Sequence, residues 1–175
     1  RELADKTLGI VGYGELGRSV ARVAEAFGMR VLLAQRPGAA EPEEGRVPLP
    51  ILLPRVDVLS LHCPLTPETR GLIGPWELAL MRRDAILINT ARGGLVDEAL
   101  LADALRKGAL GGAGVDVLSL EPPTAGNPLL APDIPNLIVT PHSAWGSRES
   151  RQRLIGQLAE NIQGYLDGEP VRTVG

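Results

Sequence analysis

The sequence predicts an α/β fold of three layers, in which a doubly wound parallel sheet lies between two sets of helices. Short apolar runs alternate with helical patterns along the chain, and this alternation is typical of such folds. The 175 residues are 44% hydrophobic and 22% charged, which is too apolar for intrinsic disorder and sufficient for a core without metals or disulfides. We therefore expect a single domain over residues 1–175.

Six apolar runs predict the strands. The runs Ala85–Ile88 and Leu137–Val139 are apolar at consecutive positions, as expected for strands that are covered on both faces. The predicted strands are Thr7–Val11, Arg30–Ala34, Val56–Leu61, Ala85–Asn89, Ala113–Val117 and Leu137–Thr140. We expect the order 3-2-1-4-5-6, so that the first and fourth of these runs flank the point where the strand order reverses.

Helical patterns lie between these runs. The first, Leu16–Phe27, stops before Gly28, a residue type that commonly ends helices. Its apolar positions, which share one face, are Leu16, Val20, Val23 and Phe27. The other predicted helices are Pro75–Met81, Asp97–Lys107, Ser147–Asp167 and a connecting helix within residues 48–54, where prolines weaken the pattern. Residues 41–45 form the most loop-like segment.

The composition excludes several classes of function. The chain has 18 Lys and Arg against 21 Asp and Glu, a net charge of −3, so it lacks the basic surface that nucleic-acid binding requires. No apolar run approaches the length of a membrane span. Cys63 is the only cysteine, which excludes an intrachain disulfide and favours a cytoplasmic protein. One Cys and two His also do not make a metal-ligand cluster, so we expect no metal.

A glycine-rich loop follows the first predicted strand and opens the first predicted helix. In this Gly-x-Gly-x-x-Gly pattern, Gly12 permits a tight turn, Gly14 lets the backbone approach a pyrophosphate, and Gly17 allows close packing of helix on strand. The helix N-terminus adds free N–H groups for the phosphates. The strand–loop–helix context favours a dinucleotide site over a glycine-rich turn without function.

The end of the second predicted strand is where an acidic residue commonly selects NAD by binding the ribose 2′-hydroxyl. Gln35 stands there and Arg36 follows it. Without an acid to repel a 2′-phosphate, and with a cation beside it, the pattern favours NADP or dual use. The alternative is a solvated Arg36, with NAD bound through Gln35.

Three polar side chains follow the last three predicted strands. Arg92, Glu121 and His142 come after the fourth, fifth and sixth strands, where ligands of open α/β sheets bind. A protonated His can donate the proton that a reduced carbonyl needs, a carboxylate can orient it, and an Arg can hold a substrate carboxylate. Singly, each has a plain structural explanation as an ion-pair partner, a solvated acid or a structural histidine. Together they indicate hydride transfer to a 2-oxo acid.

These motifs resemble the NAD-binding domain of the D-isomer-specific 2-hydroxyacid dehydrogenases, a Rossmann fold. The resemblance covers nearly all of the chain, and its matching motifs are KTLGIVGYGELG, DVLSLHCPLTPETRGLI, LINTARGGLVDEALLADAL, GGAGVDVLSLEPP and IVTPHSAWGS. Within the family, the segments VLLAQRPGAA and TPHSAWGS are most similar to the glycerate dehydrogenase (hydroxypyruvate reductase) branch. The resemblance implies reduction of hydroxypyruvate or glyoxylate, or the reverse oxidation of D-glycerate.

The resemblance also implies the roles of individual residues. Arg92 would bind the substrate, Glu121 would pair with His142, His142 would be the acid/base, and Asp116 would contact the nicotinamide carboxamide. The cofactor-binding residues would be Gly12, Gly14, Glu15, Leu16, Gly17, Gln35, Arg36, His62, Cys63, Pro64, Thr69, Thr90, Ala91, Asp116, His142 and Ala144. Ala144 departs from the Ser or Gly of many members, so one contact near the carboxamide is expected to be lost.

The resemblance implies partners beyond the small-molecule substrate. Family members carry a smaller substrate domain before this one, and its sequence is not in the chain. They usually form homodimers through the dinucleotide-binding domain, and their final helix crosses to the substrate domain. Two other functions stay open: a dinucleotide-sensing protein like the corepressors of the family, and a dehydrogenase for another 2-hydroxy acid. A formate dehydrogenase is disfavoured, because those enzymes typically carry Gln where Glu121 stands.

Overall fold

The structure, a computed structural model, describes residues 2–39, 41 and 43–173. It divides into two compact units, the first ending at Pro141 and the second beginning at His142. The strands of the first unit are β1 (Thr7–Val11), β2 (Arg30–Ala34), β3 (Arg46–Val47), β4 (Val58–Leu61), β5 (Ile86–Asn89), β6 (Gly112–Val115) and β7 (Leu137–Val139). Its helices are α1 (Glu15–Ala26), α2 (Leu49–Leu52), α3 (Pro75–Leu80) and α4 (Glu98–Arg106). All six predicted strands and the four predicted helices of this unit are therefore present, with ends shifted by at most a few residues.

The seven strands form one parallel sheet in the order β3-β2-β1-β4-β5-β6-β7. The chain begins at β1, winds outwards to β3, returns to β4 beside β1 and winds outwards again. In register, Gly9 of β1 lies between Leu32 of β2 and Leu59 of β4. The predicted doubly wound parallel sheet is confirmed, and the order reverses between β1 and β4.

One part of the expected topology is wrong. The prediction placed Ala85–Asn89, the strand before Arg92, next to the first strand, but β4 lies between them. The error comes from β3, which has only two residues and follows the loop-like segment 41–45. Two residues are too few for an apolar pattern to reveal a strand. When β3 is counted, the expected order describes the sheet, with β7 added at its end.

Apolar cores lie on both faces of the sheet, because alternate residues of a strand point to opposite faces. On one face, Leu8 and Ile10 of β1 pack with Ala21 and Ala24 of α1. On the other face, Val11 belongs to a larger core with Leu52 and further residues, among them Leu59, Leu61, Leu87, Leu101 and Val115. Helices therefore cover both faces, which confirms the three layers.

Of the four apolar positions that predict helix α1, Val20 alone is partly buried against the core. The buried residues of the helix are the small ones, Gly17, Ala21 and Ala24. Val23 and Phe27 are more than half exposed. Small side chains let the helix approach the sheet closely, so the close contact fixes the orientation of the helix and leaves the larger apolar side chains on its outer surface.

The second unit contains the long helix α5 (Arg148–Leu166), close to the predicted Ser147–Asp167. Ser147 caps it, because its Oγ accepts a hydrogen bond from the N–H of Ser150 at 3.1 Å. The apolar side chains of α5 are more than half exposed: Leu154, Ile155, Leu158, Ile162, Tyr165 and Leu166. Among the described residues, no helix has both the length and the apolar character needed to cross a membrane.

Candidate functional site

The glycine loop lies where β1 meets α1, beside the end of β4. Gly12 has φ of +93°, and a Cβ atom there would lie 2.5 Å from the backbone nitrogen of Cys63. A Cβ atom at Gly17 would lie 2.2 Å from the carbonyl oxygen of Gly12. Gly14, in contrast, has no heavy atom within 4 Å of such a Cβ position. Two glycines are thus required by the fold, whereas Gly14 leaves open space at the N-terminus of α1.

A cavity of about 860 Å³, the glycine-loop cavity, opens beside this loop. Its lining residues are Gly12, Tyr13, Gly14, Arg18, Arg36, Pro37, Gly38, Arg46, His62, Cys63, Pro64, Thr66, Glu68 and Thr69. The guanidinium groups of Arg18 and Arg46 each lie 6.0 Å from the ring centre of Tyr13. Three arginines against the single acid Glu68 give this lining a net positive charge, which favours a phosphate-bearing ligand.

Arg36 and Gln35 are held within the loop that joins β2 to β3. Arg36 donates its backbone N–H to Glu43 Oε2 at 2.9 Å and its Nε–H to Glu43 Oε1 at 2.6 Å. These bonds to the carboxylate, that from the Arg36 backbone first, lower the pKa of Glu43 below its usual value. Gln35 donates its side-chain amide to the carbonyl oxygen of Glu41 at 3.0 Å. The predicted cation is therefore at the cavity, and a carboxylate that the prediction did not include is bound to it.

A second cavity of about 650 Å³, the Arg92 cavity, adjoins the first. It is lined by Leu16, His62, Cys63, Pro64, Leu65, Thr90, Ala91 and Arg92. His62, Cys63 and Pro64 line both cavities, so the segment after β4 separates them. A ligand that reaches from the glycine loop to Arg92 must pass this segment. Thr69 fixes it, because the Thr69 hydroxyl donates to the Pro64 carbonyl at 2.7 Å.

Burial determines the ionisation of two side chains in this shared segment. It lowers the pKa of His62, whose Nε2 lies 2.9 Å from Ser60 Oγ, and favours the neutral imidazole. It raises the pKa of the Cys63 thiol, partly offset by a backbone hydrogen bond. A thiol with a raised pKa is a poor nucleophile, so Cys63 is suited to line the site rather than to react.

Arg92 is exposed at the end of β5, on a turn fixed by Asn89. The Asn89 amide donates to the Arg92 carbonyl at 2.9 Å, and Asn89 Oδ1 accepts from the N–H of Ala91 at 3.1 Å. Asn89 is 1% exposed, so this turn rests on a buried support. The guanidinium of Arg92 donates to the Ala91 carbonyl at 2.6 Å and leaves further N–H groups of the fork for a ligand.

Glu121 lies in the loop after β6, which packs on the turn of Arg92. A Cβ atom at Gly93 would lie 2.0 Å from the carbonyl carbon of Leu118, so only glycine allows this contact. Glu121 Oε1 accepts from the N–H of Leu118 at 2.7 Å. The structure therefore brings the loops of Arg92 and Glu121 into direct backbone contact.

Glu98 of α4 fastens the same loop. Its carboxylate is 9% exposed and accepts three hydrogen bonds: from the N–H of Ser119 at 2.6 Å, from the Ser119 hydroxyl at 2.5 Å and from the Asn127 amide at 2.7 Å. Asp116, at the end of β6, is 5% exposed and accepts from the Thr140 hydroxyl at 2.5 Å. Buried hydrogen bonds thus hold both ends of the segment that carries Glu121.

His142 and Ala144 belong to the second unit, in the turn before α5. His142 has φ of +51°, a left-handed conformation that is uncommon for residues other than glycine. Its carbonyl accepts from Trp145 Nε1 at 2.8 Å, and the Ser143 carbonyl accepts from the N–H of Gly146 at 2.8 Å. The turn is therefore internally bonded.

The structure unites some predicted residues and adds others. The glycine loop, Arg36, His62, Cys63, Pro64 and Thr69 share one cavity, and Leu16, Thr90, Ala91 and Arg92 share its neighbour. Glu15, the first residue of α1, is exposed. Sequence reasoning missed Tyr13, Arg18, Glu43, Arg46 and Glu98. Glu43 and Arg46 lie in or next to the segment interpreted as a loop, and no spacing signal marks them. Among the described residues, no group of three His, Cys, Asp or Glu side chains could hold a metal ion.

Comparison with known proteins identifies related chains. Residues 1–144 match the model of the family described as D-isomer specific 2-hydroxyacid dehydrogenase, NAD binding domain. The chain is 52% identical over 173 residues to a glycerate dehydrogenase of Methylorubrum extorquens, and this alignment covers 99% of the chain and 54% of that protein. It is 43% identical over 176 residues to a hydroxypyruvate reductase of Blautia hydrogenotrophica, in an alignment that covers 99% of the chain and 54% of that protein.

Solved structures share the fold. The NAD-complexed form of a D-isomer-specific 2-hydroxyacid dehydrogenase from Lactobacillus delbrueckii ssp. bulgaricus matches with a TM-score of 0.86 at 31% identity, over 100% of this chain and 57% of that one. An acyclic imino acid reductase in complex with NADPH and D-Arg matches with a TM-score of 0.83 at 36% identity, over 100% of this chain and 55% of that one. The chain spans about half the length of the relatives it matches.

Proposed function

This chain belongs to the D-isomer-specific 2-hydroxyacid dehydrogenases, as their NAD-binding domain, and from that premise we propose that the complete protein is an NAD(P)-dependent oxidoreductase. We propose that it reduces hydroxypyruvate or glyoxylate, as the names of the relatives suggest. The observation that carries the proposal is the pair of adjoining cavities, with the glycine loop in one and Arg92 in the other. A dinucleotide would use both cavities, because its anionic pyrophosphate would lie at the glycine loop and its nicotinamide, where the substrate reacts, would reach the Arg92 cavity.

The residues of the glycine-loop cavity fit a dinucleotide. The open space at Gly14 and the N-terminus of α1 suit a pyrophosphate, which needs close backbone approach and N–H donors. Arg18, Arg36 and Arg46 add positive charge. The neutral His62 and the buried Cys63 would line the middle of the ligand. When bound, the nicotinamide supplies the hydride for the carbonyl carbon.

The protein's own side chains would handle the substrate and the proton. Arg92 would hold the substrate carboxylate with its planar fork, and the buried Asn89 beneath the turn would keep it in place. The family resemblance implies that His142 would donate a proton to the reduced carbonyl oxygen and that Glu121 would be its partner. Asp116 would accept a hydrogen bond from the carboxamide. These roles remain those that the family resemblance implies.

We propose NADP or dual use rather than strict NAD use. Arg36 at the cavity and the neutral Gln35 support this, because neither repels a 2′-phosphate. Replacing Gln35→Asp should shift the preference towards NAD by introducing that repulsion. An unchanged ratio of the two affinities would reject the assignment of Gln35.

Further features of the complete protein are also proposals. A homodimer through this domain is supported by the outer surface of α1, where Val23 and Phe27 line a shallow cleft of about 420 Å³ with Ser19, Arg22 and Ala26. A substrate domain preceding this chain is supported by the length of the relatives. A cytoplasmic location is supported by the single, buried Cys63.

The assay that tests the function follows the loss of NADPH and of NADH absorbance in the full-length protein, with hydroxypyruvate, glyoxylate and pyruvate in turn. The expected result is rapid oxidation with hydroxypyruvate or glyoxylate, which His142→Ala lowers while cofactor binding stays near normal. Cofactor binding without oxidation by any of the three would reject the proposal. It would favour a dinucleotide-sensing protein or an enzyme for another 2-hydroxy acid.

A further inference from the structure

One carboxylate holds two of the cations in the glycine-loop cavity. Glu43 accepts two hydrogen bonds from Arg36, and its Oε2 lies 3.4 Å from Nε of Arg46. The Glu43 side chain is 20% exposed. The described part of the 36–46 loop therefore carries its own anion next to the cavity.

The two arginines differ in how firmly they are held. Arg46 is 17% exposed in its side chain and also donates to the Ala34 carbonyl at 3.1 Å, which fixes it against β2. The side chain of Arg36 is 74% exposed and has Glu43 as its ion-pair partner. Arg36 can thus move from Glu43 to another anion, whereas Arg46 would stay in place.

A 2′-phosphate would need the donors that Glu43 uses. Guanidinium and backbone N–H groups bind phosphate and carboxylate oxygens with the same geometry, so the two anions compete. A phosphate next to an unprotonated carboxylate is also repelled by it. Among the described residues, the charged side chains that line this cavity or form ion pairs with its arginines are Arg18, Arg36, Arg46, Glu43 and Glu68.

We propose that Glu43 determines cofactor selectivity: its carboxylate occupies the N–H groups of Arg36 that a 2′-phosphate requires and thereby weakens binding of NADP(H) relative to NAD(H). This inference rests on the proposed binding of the dinucleotide in the glycine-loop cavity with Arg36 at its 2′ end. The Glu43 carboxylate and the 2′-phosphate of NADP then compete for the same N–H groups of Arg36. Arg36 favours binding of NADP, and Glu43 limits it.

The test is a titration of the chain with NADPH and with NADH, followed by the fluorescence of the dihydronicotinamide. Glu43→Gln keeps the size of the side chain and removes its charge. We expect its Kd for NADPH to fall about three- to tenfold, the range of an exposed ion pair plus relief of repulsion, with NADH changed less than about twofold. Glu44→Gln, an exposed acid next in the chain, is the matched control and should alter neither Kd.

A double variant shows whether the gain passes through Arg36. In Arg36→Gln, the further change Glu43→Gln should strengthen NADPH binding by a clearly smaller factor than in the native chain, because only the relief of repulsion remains. A gain of the same size without Arg36, or equal changes for NADPH and NADH, would overturn the inference. Weaker NADH binding by Glu43→Gln would also overturn it, because Glu43 would then bind the ribose itself.

The single variant Arg36→Gln distinguishes a failure of the proposed role of Glu43 from a failure of the proposed cofactor assignment. If it weakens NADPH binding while Glu43→Gln has no effect, the role of Glu43 is wrong and the proposed use of Arg36 stands. If Arg36→Gln leaves NADPH binding unchanged, the proposed cofactor assignment is wrong and the role of Glu43 fails with it.

Discussion

The glycine loop and the 36–46 loop border the same cavity, but different physical terms determine their structures. At Gly12 and Gly17, backbone atoms lie within 2.5 Å of where a Cβ atom would be, so the conformation permits one residue type only. In the 36–46 loop, an ion pair holds the chain, because Arg36 donates a hydrogen bond to Glu43, seven positions away. Steric exclusion leaves a local pattern in the sequence, whereas charge pairing leaves none. Gly12 and Gly17 are therefore expected to be intolerant of substitution, and the 36–46 loop is expected to be adjustable.

The largest effect should follow a change in the glycine loop. In Gly17→Ala the new methyl group would lie 2.2 Å from the Gly12 carbonyl oxygen, a backbone atom that cannot rotate away. We expect the free energy of unfolding to fall by at least about 3 kcal/mol, measured by urea denaturation. Gly14→Ala is the control on the same loop, with open space around the methyl group, and should cost less than about 1 kcal/mol. Similar losses in the two variants would break the contrast.

A buried charge should give an intermediate effect. Glu98→Gln would place an amide N–H₂ against the Ser119 and Asn127 donors and lose charge-assisted bonds in a nearly buried site. We expect a loss of about 2 kcal/mol in the free energy of unfolding. Asp103→Asn, an exposed acid on the same helix, should change it by less than about 0.5 kcal/mol. An equal response of the two acids would show that burial does not separate their contributions.

A smaller effect should appear as a pH dependence at His62, in the segment shared by both cavities. Burial lowers its folded pKa below the ordinary value of 6.5, so the unfolded chain binds a proton first as the pH falls. Stability should therefore be lost as the pH falls through 6.5 towards the folded pKa, and be constant with respect to this group above and below that window. His62→Asn should show a shallower loss between about pH 7.5 and pH 5 in parallel urea titrations. If the native chain and His62→Asn lose stability identically as the pH falls, protonation of His62 does not contribute to the pH dependence.

The smallest effect on stability should come from the 36–46 loop itself. Glu43→Gln removes the acceptor of an exposed arginine, and exposed ion pairs contribute little to folding. We expect the midpoint of urea denaturation to be unchanged, although NADPH binding changes. A marked drop in the midpoint would mean that Glu43 supports the fold rather than the selectivity.

The fold was largely predictable because its signals are local. Consecutive apolar residues revealed β5 and β7, and the order of strand, glycine loop and helix revealed the start of the sheet. Strand β3 was not predictable, because two residues show no periodicity. Its omission led to the wrong position for the strand before Arg92 in the expected order. The prediction for α1 identified the helix but not the residues that it buries. The buried residues, Gly17, Ala21 and Ala24, are small, and the sequence analysis considered only the large apolar side chains.

The contacts within the candidate site could be expected from the sequence only where they are local. Asn89, Ala91 and Arg92 lie within four positions of one another, yet the sequence analysis gave Asn89 no role, and its hydrogen bonds to the Arg92 turn are seen only in the structure. Glu98 and Ser119 are 21 positions apart and meet only in the folded chain. Their contact depends on tertiary packing of α4 against the loop after β6, which no spacing rule describes.

The central claim is that a dinucleotide binds at the glycine loop, and calorimetric titration of the native chain and of Gly14→Ala with NADH and NADPH tests it most directly. The native chain should bind both saturably, and the variant should keep its stability but bind at least about tenfold more weakly, because the methyl group fills the space for the pyrophosphate. Equal affinities in the two proteins, or no binding by the native chain, would contradict the account.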